Sequence, residues 1–226
     1  RSLRLGNQTD WRLPTIKELY SLMDFSGFSP MPGRQGKPFI DPAFDFRYGD
    51  TANGERPIDV QVWSATEYGG RLMGHGASVF GVNFADGRIK GYPKLRPERG
   101  AHRMFVRYVR SNPDYGRNDF VDNRDGTVTD RATGLMWMQV DSGTLKAGPF
   151  GDGRMDWPQA LAWATSFVYA GRNDWRLPNA KELQSLVDYQ RSPQTSGSAA
   201  ISPMFKTSTI RDEGGNTNYP FYWSST

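Results

Sequence analysis

The chain has no cysteine in 226 residues and only two histidines, His75 and His102, 27 positions apart. Without thiols there are no disulfides, no thiolate nucleophile and no thiolate metal site. Two isolated histidines do not make a histidine-rich metal cluster, and a lone one reads as a surface residue. No run of 18 apolar residues occurs, so this stretch carries no transmembrane helix signal. A glycine-rich phosphate loop and a Gly-x-Ser-x-Gly elbow are missing too. These absences speak against catalysis, and the expectation is a protein that is not an enzyme and needs no cofactor. The sequence starts at Arg1 without a Met, which is compatible with a targeting segment removed ahead of it.

Glycine (25) and proline (15) are plentiful and predict many turns and long ordered loops. Hydrophobic content of 37%, with 13% aromatic, suffices for a packed core. The net charge of +4 is uneven. Residues 1–114 hold 17 basic against 12 acidic side chains, and residues 115–226 hold 11 against 12. Eight basic residues fall between Asp86 and Arg110, against only two acidic ones, Asp86 and Glu98. Arg88, Lys90, Lys94, Arg96, Arg99 and Arg103 are therefore the candidate contacts for an anionic partner. Modest net charge, with no basic stripe along a helix, disfavours nucleic acid.

The most informative feature is a sentence spelled twice. Thr9–Phe25 reads TDWRLPTIKELYSLMDF and Asn173–Tyr189 reads NDWRLPNAKELQSLVDY. In each copy a capping residue, Thr15 or Asn179, precedes a glutamate three positions on, Glu18 or Glu182, as in a capping box. Ile16, Leu19, Leu22 and Met23 recur at helical spacing, matched by Ala180, Leu183, Leu186 and Val187. The spacing predicts a short capped helix with one buried face. The Trp-Arg-Leu-Pro entries are Trp11, Arg12, Leu13, Pro14 and Trp175, Arg176, Leu177, Pro178. A buried arginine needs a partner, and Glu18/Glu182 or Asp24/Asp188 are the choices. The repeat continues in FIDPAF (39–44) against AISPMF (200–205), and in VWSAT (62–66) against YWSST (222–226). Trp63 and Trp223 are thus duplicated like Trp11 and Trp175. Aromatics duplicated inside repeated motifs read as core rather than as sugar platforms.

Other segments occur once. Phe120–Met138 predicts a strand meander, with turns at Asp125-Gly126 and near Gly134. Asp156–Gly171 predicts a capped helix. Phe80–Tyr92 predicts a hairpin turning at Asp86-Gly87, and Arg103–Arg110 a final strand. Ser111–Asp119 has linker composition. Residues 1–112 form a first unit lacking its N-terminal part, 113–118 a linker, and 119–226 a second unit lacking its C-terminal strands. Sheets left open in this way carry bare edges. The expectation is a fragment of a longer polypeptide, or strand exchange between neighbouring chains. The run DNRDGTVTD looks like a calcium loop, but an EF-hand register would put Val121 where a carboxylate is needed. The Asp-Gly pair reads as a hairpin turn, with structural calcium elsewhere in the loops left open.

DNRDGTVTDRATGLMWMQ, ALAWATSFVYAGRNDWRLPNAKELQSLVDY and FYWSST, in that order, resemble the bacterial domain at the C-terminus of the Legionella collagen-like adhesin. The likeness covers nearly the whole chain as two partial tandem copies. RLPTIKEL and WSAT also resemble the formylglycine-generating-enzyme branch of C-type-lectin-like folds, whose oxidases work through paired cysteines that this chain lacks. The resemblance implies an α+β, C-type-lectin-like fold. Each unit would have short antiparallel sheets flanked by two helices, and long ordered loops. It also implies a secreted, periplasmic or surface-anchored bacterial protein. The implied function is a non-catalytic binding module, an adhesin for an anionic polysaccharide or another surface protein. The alternative is a structural repeat of a surface assembly that contacts copies of itself.

Overall fold

The computed structural model describes residues 4–72, 76–96 and 100–226, with only the backbone described for Arg71 and Arg96. The chain divides into two compact units, Arg1–Tyr115 and Gly116–Thr226. Each mixes short helices with small, mainly antiparallel sheets, the α+β class expected from the sequence.

In the first unit, helix α1 (Ile16–Ser21) is followed by strands β1 (Gln61–Arg71), β2 (Ala77–Asn83), β3 (Arg88–Pro93), β4 (Leu95–Arg96), β5 (Gly100–Ala101) and β6 (Phe105–Val106). Six residues are too few for a stable isolated helix, so α1 depends on its caps and its packing. Thr15 and Glu18 form the reciprocal capping box, and Ile16 and Leu19 are buried. The main sheet runs β3-β2-β1-β6. Its core is Val60, Val62, Val82 and Phe84, with Met23 and Ile40 also buried. The predicted hairpin is present, with β2 and β3 paired from Ser78/Pro93 to Asn83/Arg88.

The final strand differs from expectation in two ways. Only Phe105–Val106 is strand, and it joins β1 in parallel, Val62 opposite Phe105. Beyond it the chain touches a different element: Val109 and Arg12 exchange both backbone hydrogen bonds, each 2.9 Å. The segment thus divides its pairing between β1 and the Trp-Arg-Leu-Pro entry. The first unit has one α-helix among its described residues, not two.

The second unit begins with the meander β7 (Phe120–Asp122), β8 (Thr127–Asp130) and β9 (Leu135–Met138), ordered β7-β8-β9. Helices α2 (Trp157–Ser166), α3 (Ala180–Ser185) and α4 (Pro193–Ser196) follow, then the pair β10 (Ile210–Arg211) and β11 (Thr217–Asn218). The predicted capping boxes at Asp156/Gln159 and Asn179/Glu182 are both formed. Helix α2 ends at Ser166, short of Gly171, because Phe167 turns extended and stacks on Trp163 with ring centroids 4.3 Å apart. Gly171 instead forms a tight turn with Ala170, both at positive φ.

Candidate functional site

The duplicated sentence builds the same small machine twice. Arg12 donates to both oxygens of Glu18 at 2.7 and 2.5 Å, and Arg176 to both of Glu182 at the same distances. One oxygen of each glutamate also accepts the capping residue's N–H, from Thr15 at 2.7 Å or Asn179 at 2.8 Å. The arginine's partner is therefore the glutamate, and Asp24 and Asp188 cap the following turns instead. Burial pushes the Glu18 carboxyl up, but the Arg12 guanidinium and the Thr15 N–H outweigh it and hold it below the usual range. At Glu182 the Arg176 hydrogen bond leads and lowers the carboxyl as well.

The tryptophans are anchors. The Trp11 indole N–H donates to Leu5 O, and that of Trp175 to Tyr169 O, six residues back in both copies. Each carbonyl sits at the mouth of a two-residue turn, Gly6-Asn7 or Ala170-Gly171, with positive φ throughout. Trp11, Leu13, Trp175 and Leu177 are all half-buried, Pro14 is buried and Pro178 half-buried. Leu19 is buried while Leu183 is half-buried, and Leu186 is buried while Leu22 is half-buried.

The Trp-Ser motif docks on the helix start. Ala65 donates to Pro14 O and Thr66 Oγ1 accepts from Ile16 N at 2.9 Å. Ser225 and Thr226 repeat both contacts on Pro178 and Ala180. The copies diverge at the serine. Ser64 Oγ donates across the sheet to Phe80 O at 2.7 Å, whereas Ser224 Oγ donates to Thr226 O at 3.3 Å. Trp63 is half-buried and meets His102 edge-on at 5.8 Å. Trp223 is 56% exposed and donates to Met155 O.

Two carboxylates missed by sequence reasoning are deeply committed to structure. Asp130 accepts from the Asn118 amide, Asp119 N, Ala132 N and Thr133 Oγ1. Asp141 accepts from Thr144 N and Oγ1, Ser208 N and Oγ, and the Tyr222 hydroxyl. In both, burial pushes the carboxyl up and the donors more than offset it. Desolvation and Asp141 together push the Tyr222 hydroxyl far up. Asp125 accepts from Thr127 N and Oγ1 as a plain turn residue. Asp122 likewise accepts the Arg124 N–H, so each aspartate of the DNRDGTVTD run serves a turn. Among the described residues no three or more His, Asp or Glu converge as a metal-binding group.

The basic stretch is spread over two hairpins. Arg88, Lys90 and Tyr92 alternate along β3, on one face. Arg88 and Arg103 are exposed. Lys90 donates to Asp86 at 2.7 Å, whose carboxylate is only 5% exposed. Lys94 meets Glu67 at 2.5 Å in an open pair. Arg96 is placed only as a β4 backbone position, and Arg99 and His75 lie outside the described residues. The structure also assigns two further basic residues to the fold. Arg107 donates to Asp45 O and lies over Phe44, and Arg110 pairs with Asp10 at 2.9 Å. His102, expected at the surface, is half-buried between Trp63 and Tyr92.

The Lcl C-terminal domain model matches residues 1–110 and again residues 126–226. The chain belongs to the Lcl C-terminal domain family. It carries two tandem copies of this bacterial, surface-associated domain type. Comparison with curated proteins and with solved structures returns no match. No helix among the described residues is long and apolar enough to cross a membrane.

Proposed function

We propose that the chain is a non-catalytic, secreted or cell-surface binding module that holds anionic polysaccharide on the hairpin face of its first unit. The observation that carries this reading is exposed Arg88 at the head of β3, followed by exposed Lys94 and, beyond β5, by exposed Arg103. A linear polyanion presents regularly spaced charges and suits such a row. The Lys94–Glu67 pair is open to solvent and worth under about 1 kcal/mol, so a sulfate or carboxylate can replace Glu67. Lys90 is different. It neutralises a buried Asp86, and its role is to support the turn.

The non-catalytic part of the reading is supported by how the perturbed carboxylates are used. Glu18, Glu182, Asp130 and Asp141 are saturated by hydrogen bonds that shape the fold. No nucleic acid is proposed as partner, and no cofactor or calcium is assigned. The test is retention on immobilised heparin. Arg88→Ala, Lys94→Ala and Arg103→Ala together are expected to move elution to distinctly lower salt while the melting temperature stays put. Elution at the wild-type salt would overturn the reading.

A structural repeat that contacts its own copies is the second reading. It is favoured by the outer edge at β6, where Phe105 is 61% exposed beside open Val106 and Tyr108. Sedimentation separates the two. Ordered multimers without glycan, abolished by Phe105→Lys, would support self-assembly.

A further inference from the structure

Two lysines of the first unit's sheet region each meet a carboxylate, and the two pairs differ in what they do for the fold. Lys90 meets Asp86 at 2.7 Å, and that carboxylate is only 5% exposed and also accepts the Arg88 N–H within the hairpin turn. This pair cannot open without leaving a buried charge. Lys94 meets Glu67 at 2.5 Å, with the two side chains 44% and 60% exposed. Neither of these needs the other to keep its place. The Lys94 N–H donates to Ala77 O and its carbonyl accepts from His102 N, both at 2.9 Å, so its backbone is fixed on two sides. Glu67 is held in β1 opposite Val79.

The open pair is not a product of local sequence, for its members stand 27 residues apart. Glu67 lies opposite Val79 in β2, and Val79 lies opposite Tyr92 in β3, so the three form one cross-strand row on one face. Lys94 follows Tyr92 by two positions, the spacing that returns a side chain to the same face. The two side chains therefore reach toward each other over the middle strand, across two strand spacings or roughly 10 Å. Strand β1 slips register just before Glu67 and again after Tyr68. Irregularities of this kind re-aim side chains, and here they set a carboxylate against one member of the exposed basic set Arg88, Lys94 and Arg103.

We infer that Glu67 is a built-in competitor for the polyanion: it occupies Lys94 until an oxyanion of the polymer displaces it, and so sets how strongly the basic face binds. The inference rests on the polyanion reading proposed above. A tethered carboxylate competes at a high effective concentration, so a single small anion does not remove it. A polymer that also engages Arg88 and Arg103 does, because several exposed contacts act together while Glu67 supplies one. Opening costs the fold little, since both partners return to water. The consequence is a threshold: isolated anions leave the pair closed, and a chain with charges in series opens it.

The test uses the whole chain and its elution salt from immobilised heparin, with the melting temperature as the check on folding. Glu67→Gln keeps the side chain's shape and removes its charge. It is expected to elute at higher salt, with affinity for soluble heparin raised about two- to fivefold, the range for losing one exposed ion-pair partner. Glu213→Gln makes the same change of net charge at an exposed position of the second unit, and is expected to elute with the wild type. In a Lys94→Ala background Glu67→Gln is expected to lose most of its gain, because the contact it frees is gone. Elution of Glu67→Gln at the wild-type salt, an equal rise in Glu213→Gln, or the full gain persisting without Lys94 would each overturn the inference and leave the binding reading standing. If neither the wild type nor Glu67→Gln is retained on heparin, the binding reading fails and the inference fails with it.

Discussion

At the scale of single residues, the duplicated Arg–Glu pair shows how one contact differs in worth with exposure. The Glu18 side chain is 7% exposed and that of Glu182 is 16%, while the arginines are 34% and 56% exposed. Arg12→Ala leaves a nearly buried carboxylate with only the Thr15 N–H, and is expected to cost about 2–3 kcal/mol. Arg176→Ala leaves a wetter one and is expected to cost about 1 kcal/mol. Thermal melts of the two single variants check the order. Acid tests the same carboxylates together. Glu18, Glu182, Asp130 and Asp141 all lie below their ordinary values when folded. The unfolded chain therefore binds more protons in acid, so stability falls as pH falls. Their contribution is complete above the ordinary carboxylate range near about pH 4–4.5 and is lost as pH drops through the lower folded values. Melting temperature should be flat from neutral pH into that range and then fall steeply. The fall should be shallower in Asp130→Asn, at a lower starting stability.

At the scale of elements, the Trp-Ser motif is a cap supplied from a distance. Thr66 takes the N–H of Ile16, the first residue of α1. Thr66→Val is expected to cost about 1 kcal/mol, within the range for a lost N-terminal cap, read as a lower urea midpoint. Close strand contact sets a sharper limit at Gly81. A Cβ there would lie 2.7 Å from the Val62 carbonyl oxygen, a backbone atom that cannot swing aside. Gly81→Ala is expected to destabilise the first unit by several kcal/mol or to prevent its folding, whereas Gly54→Ala, with nothing within 4 Å, has only its positive φ to oppose it. The sequence announced the caps, the meander and the β2–β3 hairpin because each is written in neighbouring residues. It also reached Glu18 as a partner for Arg12, since the two are six positions apart. It did not reveal Asp141, whose donors Ser208 and Tyr222 are 67 and 81 residues away. Nothing local marks an aspartate as a tertiary hub. The two-residue turns before Trp11 and Trp175 stayed hidden because Gly6-Asn7 and Ala170-Gly171 meet one φ requirement with different residues.

At the scale of the whole molecule, the repeat distributes stability unevenly. The buried hydrophobic residues of the first unit include Ile16, Leu19, Met23, Ile40, Val62, Val82 and Phe84, whereas those of the second are Val128, Ala160, Ala164 and Leu186. Burying a Val, Leu, Ile or Phe side chain stabilises by about 1.5–3 kcal/mol, and alanines contribute far less. The difference is concentrated at one matched place. Val62 lies in the centre of a four-stranded sheet at 5% exposure, while its counterpart Tyr222 is 47% exposed and its neighbour Phe221 is 98% exposed. The meander of the second unit recovers part of this, through Val128 and the fully bonded Asp130, but it adds no large buried aromatic. Calorimetry of the whole chain is therefore expected to show two transitions, with the second unit melting first. Hydrogen exchange read by mass spectrometry assigns them: peptides from Gly116–Thr226 should lose protection before those covering Val60–Val82. A single transition with uniform protection would show that the two units share one cooperative fold and that the local count of buried side chains does not govern their stability.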